Sequence, residues 1–352
     1  MQPIPVGILG ATGAVGQRFI QLLANNPWFK ITALGASERS AGKRYADACT
    51  WRLSANCPEQ VRDLIVQPCE PNLDCRLVFS ALPSAAAMTV EEEFAAAGYG
   101  VFSNASAHRM DPDIPLMIPE VNAEHLEMIS VQRENRGWEK GFIVTDPNCS
   151  TVGMTLVLKP LYDTFGLKRV VATTLQALSG AGYPGVPSLD MLDNVIPYIH
   201  NEEDKLVTEP LKILGRYDSE TGQIAHASFG VSPTCTRVPV RDGHMEVLSV
   251  ELEQRAAVEE VIEALASFSS EPFAMGCPSA VDPTLIVRPE PNRPQTLIDR
   301  DSGRGMAVTV GRVRPCEVLD YKLVVLSHNT IRGAAGGSIL NAEIMVAKGM
   351  IS

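Results

Sequence analysis

Ile4-Pro5-Val6-Gly7-Ile8-Leu9-Gly10-Ala11-Thr12-Gly13-Ala14-Val15-Gly16-Gln17-Arg18-Phe19-Ile20-Gln21-Leu22-Leu23 reads as a strand, a glycine turn and a helix. Ile4 to Leu9 is a short apolar run, and Val15, Phe19, Leu22 and Leu23 then recur at helical spacing. Glycines in the turn let a diphosphate approach the backbone, and the amino terminus of the following helix attracts its charge. The spacing is G-x-x-G-x-x-G and not the commoner G-x-G-x-x-G, so a purely structural turn stands as the alternative.

The next apolar segment, Ile31 to Leu34, ends in Gly35-Ala36-Ser37-Glu38-Arg39-Ser40-Ala41-Gly42-Lys43, where a dinucleotide fold selects its ribose. An NAD site usually places an acidic residue there to accept from the 2′-hydroxyl; here small and basic residues dominate, and Arg39, between Ser37 and Ser40, can neutralise a 2′-phosphate. NADP is therefore favoured over NAD, with Glu38 read as a solvated loop carboxylate.

Further strands are expected at Leu77 to Ala81, Gly100 to Ser103 and Phe142 to Thr145, separated by helical stretches such as Ala86 to Ala97. This alternation predicts an α/β, Rossmann-type doubly wound parallel sheet with ligands at the carboxyl ends of its strands. Ser80 to Ser84 and Ser103 to Arg109 fall at such ends, which turns Arg109 toward the site.

After residue 149 the pattern changes. Arg169 to Leu178, Thr234 to Val240, Met245 to Leu252, Met306 to Val313 and Tyr321 to Ser327 are strand-like and unevenly spaced, with helical Ala257 to Phe268 among them. That predicts a second, α+β domain on a mixed or antiparallel sheet. His328-Asn329-Thr330-Ile331-Arg332-Gly333-Ala334-Ala335-Gly336-Gly337 leads into an apolar helical tail, which is read as returning to the first domain. The expected division is residues 1–148 plus 330–352 for the cofactor and 149–329 for catalysis and dimerisation.

The chain of 352 residues is 45% hydrophobic, enough for two cores. A net charge of −11 argues against nucleic acid or an anionic membrane as partner, while leaving small anions possible for a few arginines in a cleft. The eight cysteines (49, 57, 69, 75, 149, 235, 277 and 316) are dispersed and include no C-x-x-C pair, so reduced thiols and no metal site are expected. With no basic leader followed by an apolar core and no stretch of ~18 apolar residues, the expected location is the cytoplasm.

Asp146-Pro147-Asn148-Cys149-Ser150-Thr151, followed by the apolar run Val152 to Leu158, seats one cysteine at the start of a helix. Unpaired amides and the helix dipole there favour thiolate and can hold an oxyanion after attack on a carbonyl. The competing reading is a buried apolar cysteine. Pro160 is expected to kink or stop that helix near Lys159. A thiol nucleophile needs a proton manager, and histidine suits the task. Among His108, His125, His200, His226, His244 and His328, the residue opening a strand after Arg237-Val238-Pro239-Val240-Arg241-Asp242-Gly243 leads modestly.

On these motifs the chain resembles the aspartate-semialdehyde dehydrogenases, more closely their archaeal and fungal branch, from the Gly10 turn to the tail. The resemblance implies that Cys149 is the acylated nucleophile, with Asn148 helping to hold the substrate phosphate. The R-x-P-V segment with a histidine seven positions after its arginine falls on Arg237 and His244. Arg237 would clamp the α-carboxylate, as a planar guanidinium can, and His244 would be the acid–base. Arg109 and Lys205 match the phosphate site, Glu202 the ammonium site and Gln176 a contact to the thioester. Gly10, Thr12, Gly13, Ala14, Val15, Ser37, Arg39, Ser40, Ser80, Gly180 and Asn329 would meet the cofactor. Small residues are expected where His200-Asn201 stands.

The activity so implied is NADPH-dependent reductive dephosphorylation of L-aspartyl-4-phosphate to aspartate 4-semialdehyde through a cysteine thioester. It would feed lysine, threonine, methionine and isoleucine synthesis, in a homodimer or homotetramer. Alternatives are a related acyl reductase, such as one acting on malonyl-CoA or an N-acylglutamyl phosphate, and a non-catalytic dinucleotide-binding redox sensor built on Cys149.

Overall fold

The computed structural model describes residues 2–351, so Met1 and Ser352, the outer ends of the expected cofactor unit, lie outside the described residues. Strands β1 (Ile4–Leu9), β2 (Phe29–Gly35), β3 (Leu77–Ser80), β4 (Gly100–Ser103) and β5 (Phe142–Thr145) form one sheet in the order β2-β1-β3-β4-β5. Every neighbouring pair in it is parallel. Their near-continuous apolar sequences fit strands covered on both faces, as parallel sheets require. Neighbours diverge on either side of β1, so the crevice between β1 and β3 is the switch point where such sheets bind ligands.

The turn after β1 is built for that crevice. Gly10 has φ +77, and a Cβ on it would come 2.7 Å from the carbonyl oxygen of Ala81, just past β3. The helix Ala14–Leu23 follows with Gly13 at its cap and no side chain satisfying its first amides. Phe19, Ile20 and Leu23 bury one face of that helix in a core shared with β1, β3, Phe102, Phe142 and Val144. Ile339, Leu340, Ile344 and Met345 of the tail helix Gly336–Ala347 enter the same core.

Strands β6 (Leu167–Gln176), β7 (Arg216–Asp218), β8 (Gln223–Ala225), β9 (Gly230–Arg237), β10 (His244–Leu252), β11 (Leu285–Arg288), β12 (Val308–Pro315) and β13 (Tyr321–Ser327) complete the chain. Six of them make a second sheet, β11-β12-β13-β10-β6-β9, while β7 and β8 pair as a hairpin. The sheet is mixed: β6 runs parallel to β9 and β11 to β12, the remaining pairs being antiparallel. Alternation of buried and half-exposed residues along β10 matches a sheet with one core face.

That core face packs against the helix Cys149–Phe165, which does not stop at Lys159 as its proline suggests. An interior proline costs about 3 kcal/mol. Leu156, Val157, Leu158 and Leu161 are all fully buried in the second core, and burying a leucine contributes roughly 1.5–3 kcal/mol each. Packing therefore carries the helix through Pro160. The helix Glu202–Ile213, also not anticipated, lies against the Cys149–Phe165 helix and β9. Among the described residues no helix is long and apolar enough to cross a membrane, and no cluster of side chains could hold a metal ion.

Candidate active site

Strand register assembles the site from distant parts of the sequence. Gln176 pairs with Arg237 across β6 and β9, and His244 pairs with Ser327 across β10 and β13. Since Met245 opposes Leu175, the next step places His244 opposite Gln176. Arg237, Gln176, His244 and Ser327 thus form one row on the core face at the end of the sheet. The helix beginning at Cys149 delivers the sulfur to that row.

Nε2 of His244 lies 3.1 Å from Sγ of Cys149. On the far side of the ring the main-chain N–H of Ala177 donates to Nδ1 at 3.0 Å, which leaves the proton of the neutral ring on Nε2, facing the sulfur. Burial, then the charges of Arg237 and His328, push the imidazole down to about 3. Asn148 caps the helix, its Oδ1 accepting from the amides of Ser150 and Thr151 at 3.0 and 3.4 Å. Burial, then Glu202, push the Cys149 thiol up to about 12 against the pull of Arg109, Arg237 and Lys205. The pull of the helix start toward thiolate is thus opposed by burial and by Glu202. Asn148 already uses the first helical amides, and desolvation outweighs the cations.

Charged groups converge above the sulfur. The buried Glu202 carboxylate accepts from Nζ of Lys205 at 2.7 Å, from Nδ2 of Asn148 at 2.8 and 3.0 Å, and from Nε2 of Gln176 at 3.3 Å. Burial alone would raise its pKa, but Lys205 and these donors hold it below the usual carboxylate range. Arg237 donates to the carbonyl of Ala177 at 2.8 Å. Nδ2 of Asn329 donates to Ser179 Oγ and its Oδ1 accepts from Gly243 N, each at 2.8 Å, tying the tail loop to the turns beside β6 and β10.

A cleft of about 790 Å³ joins these groups to the glycine turn. Of the residues expected at the site, Gly13, Ala14, Val15, Arg109, Asn148, Cys149, Gln176, Gly180, Glu202, Lys205, Arg237 and Asn329 line it. His244 lies behind the cysteine, fully buried. Gly10 underlies the turn, Thr12 lines a neighbouring cavity, and Ser80 is buried at the end of β3 while Ala81 to Ser84 line the cleft. Ser37, Arg39 and Ser40 lie on the loop after β2, apart from this cleft, with the first two exposed. A Cβ at Gly180 would crowd Arg237 Nη1 at 2.9 Å and the His244 ring at 3.1 Å, so only glycine leaves the row accessible. In the place of the expected small residues, His200 lines the cleft rim and Asn201 adopts φ 58 before the helix Glu202–Ile213.

Two site residues were missed. Glu209 accepts from Arg109 Nη1 at 3.0 Å and from the Asn148 amide at 2.7 Å. Lys212 donates to the carbonyls of Arg109, Asp111 and Ile114 at 2.7–2.8 Å. The signal was available: Glu202/Lys205 and Glu209/Lys212 repeat the same spacing two helical turns apart, hence on one face.

Residues 5–129 match the family model described as semialdehyde dehydrogenase, NAD binding domain, and residues 158–332 the one described as semialdehyde dehydrogenase, dimerisation domain. A protein of Archaeoglobus fulgidus named aspartate-semialdehyde dehydrogenase is 52% identical over 98% of this chain and 99% of its own. One of the same name from Candida albicans is 47% identical over 98% of each. The crystal structure of aspartate semialdehyde dehydrogenase with NADP from Candida albicans superposes with a TM-score of 0.92 at 46% identity, covering 99% of this chain and 100% of that one. A Vibrio cholerae aspartate semialdehyde dehydrogenase II gives 0.76 at 30% identity, over 98% and 99%.

Proposed function

The chain belongs to the aspartate-semialdehyde dehydrogenase family, and on that premise we propose that its cleft reduces L-aspartyl-4-phosphate to aspartate 4-semialdehyde with NADPH, releasing phosphate. The observation that carries the reading is the Cys149–His244 contact of 3.1 Å in a cleft that also reaches the glycine turn. The tight glycine turn at Gly10 and the helix after it, with no side chain capping its first amides, fit a dinucleotide diphosphate. Bound there, NADPH supplies the hydride.

Arg237 takes the substrate α-carboxylate, Glu202 its ammonium, and Arg109 with Lys205 the phosphate, Asn148 assisting. Sulfur attack forms the S–C bond as the C–O bond to phosphate breaks, and the thiol proton leaves with the phosphate, since Nε2 of His244 already carries a proton and donates it toward the sulfur. Gln176 steadies the resulting thioester. After reduction the alkoxide collapses to aldehyde, and the released sulfur regains its proton beside Nε2 of His244. Positive charge around the leaving phosphate and a dry floor under the sulfur are the enzyme's own contributions.

Arg39, with Ser37 and Ser40, is assigned to the 2′-phosphate. Residues 1–148 with 330–352 form the cofactor unit and 149–329 the catalytic unit. The half-exposed outer face of the second sheet, including Val171 at 45% exposure, supports a homo-oligomer, dimer or tetramer. Eight free thiols support a cytoplasmic location, and the family places the reaction in amino-acid biosynthesis. A malonyl-CoA substrate offers Glu202 no ammonium, and a redox sensor leaves Arg237, Glu202 and Lys205 without a ligand.

The test is reduction of NADP with aspartate semialdehyde and phosphate. Wild type should turn over, and Cys149→Ser should fall by orders of magnitude while still binding NADP. An inactive wild type, or a serine variant retaining more than about a tenth of turnover, where acid–base help alone is worth roughly 10²–10⁴-fold, would overturn the reading.

A further inference from the structure

Each cation of the phosphate site is already paired with a carboxylate of one helix: Lys205 with Glu202 at 2.7 Å, and Arg109 with Glu209 at 3.0 Å. The second pair is buried on both sides, Arg109 at 7% exposure and Glu209 at 2%. Arg109 reaches the cleft; Glu209 is absent from the lining and stands behind it. Its two oxygens do different things. Oε1 accepts from the Arg109 guanidinium, while Oε2 accepts from the amide of Asn148, the residue before the nucleophile. The guanidinium is steadied further by the Asn104 carbonyl at 2.9 Å, and its main chain is pinned by Lys212, one turn along the same helix.

From this arrangement we infer that Glu209 is a positioning residue that sets the affinity for phosphate: it fixes the distance between the arginine and Cys149, and cancels enough of the arginine's charge for phosphate to leave. The inference rests on the assignment of Arg109 to the phosphate. An unopposed buried guanidinium at that point would hold a phosphate dianion more tightly than a reversible reaction can use. A carboxylate beside an anion site ordinarily weakens binding through like charge, and in a desolvated setting the effect is large. Glu209 therefore trades ground-state affinity for release.

The sign of the effect separates this role from a structural one. Glu209→Gln keeps the size and one acceptor but removes the charge. In NADP reduction with aspartate semialdehyde, its KM for inorganic phosphate should fall by about threefold or more, with a lower kcat. Phosphate should also protect Cys149 from iodoacetamide at correspondingly lower concentration, a readout independent of turnover. Glu209→Asp, which keeps the charge and withdraws the carboxylate by one methylene, should raise the KM instead. If Glu209→Gln does not fold, the comparison moves to Glu209→Met, which also removes the charge at similar size with Arg109 in place and should again lower the phosphate KM. An unchanged or higher KM in the charge-removed protein overturns the inference. Arg109→Gln alone should raise the phosphate KM; if it does not, the assignment of Arg109 has failed, and with it the basis of the inference.

Discussion

Cys149 and His244 meet as two neutral groups: Sγ and Nε2 are 3.1 Å apart, and the ring nitrogen on the other side is committed to the Ala177 amide. An imidazolium would put a second N–H against that amide. The pair is thus a thiol beside an Nε2–H donor, with the sulfur pushed up to about 12 and the ring down to about 3. Iodoacetamide alkylation of Cys149 in the ligand-free enzyme should accordingly climb about tenfold per pH unit from pH 7 to 9. A rate that is flat from pH 6 upward would reveal a thiolate–imidazolium pair and contradict this geometry.

His244→Asn should lower kcat with little change in melting temperature. The asparagine Oδ1 can take the Ala177 amide that Nδ1 accepts now, so no buried donor is orphaned, while nothing reaches the sulfur from the Nε2 position. A marked loss of stability combined with normal turnover would make the histidine a structural residue.

Arg39 stands on an exposed loop, and its own carbonyl, not its guanidinium, receives Lys43. Arg39→Ala should therefore raise the KM for NADPH well above any change in the KM for NADH, with melting temperature unmoved. Equal changes for both cofactors would remove the 2′-phosphate role.

Glu202→Ala should erase the preference for an amino substrate. The comparison is kcat/KM with aspartate semialdehyde against succinate semialdehyde, each with phosphate and NADP. Truncating one partner of a buried charge pair costs roughly 2–5 kcal/mol, so most of the wild-type discrimination should vanish. If it persists, the ammonium is read elsewhere.

Glu343, on the tail helix, accepts from Asn26, and from the amide and hydroxyl of Ser279. Burial nevertheless pushes it up to about 7. A carboxyl whose folded pKa exceeds its unfolded one stabilises the fold at low pH, and that contribution is lost as pH rises from about 4.5 to about 7. The shift corresponds to about 3 kcal/mol at pH 8. Relative to wild type, Glu343→Gln should gain in melting temperature as pH rises across this window. An unchanged slope in the variant would place the titration in other groups.

The first sheet was legible because its strands are short apolar runs closed by polar or glycine turns, a pattern local in the chain. Strand ends in the second sheet slipped: Thr234 to Val240 was expected and Gly230–Arg237 observed. Pairing with β6 sets that strand, and pairing partners are not adjacent in sequence. The hairpin of β7 and β8 escaped for want of length and apolar content, and β11, though apolar, for want of length alone.

By itself the sequence determined that a glycine turn opens a parallel sheet, that a cysteine begins a helix, and which residue types would surround it. Those are properties of spacing and side-chain chemistry. Only the tertiary structure decided that Arg237, Gln176, His244 and Ser327 share one row, because register is fixed by long-range pairing. It also decided that the helix continues through Pro160, since burial outweighs the missing hydrogen bond. The thiol's protonation was likewise a tertiary matter: a helix start favours thiolate, but desolvation and Glu202, visible only once the fold closes, favour the thiol.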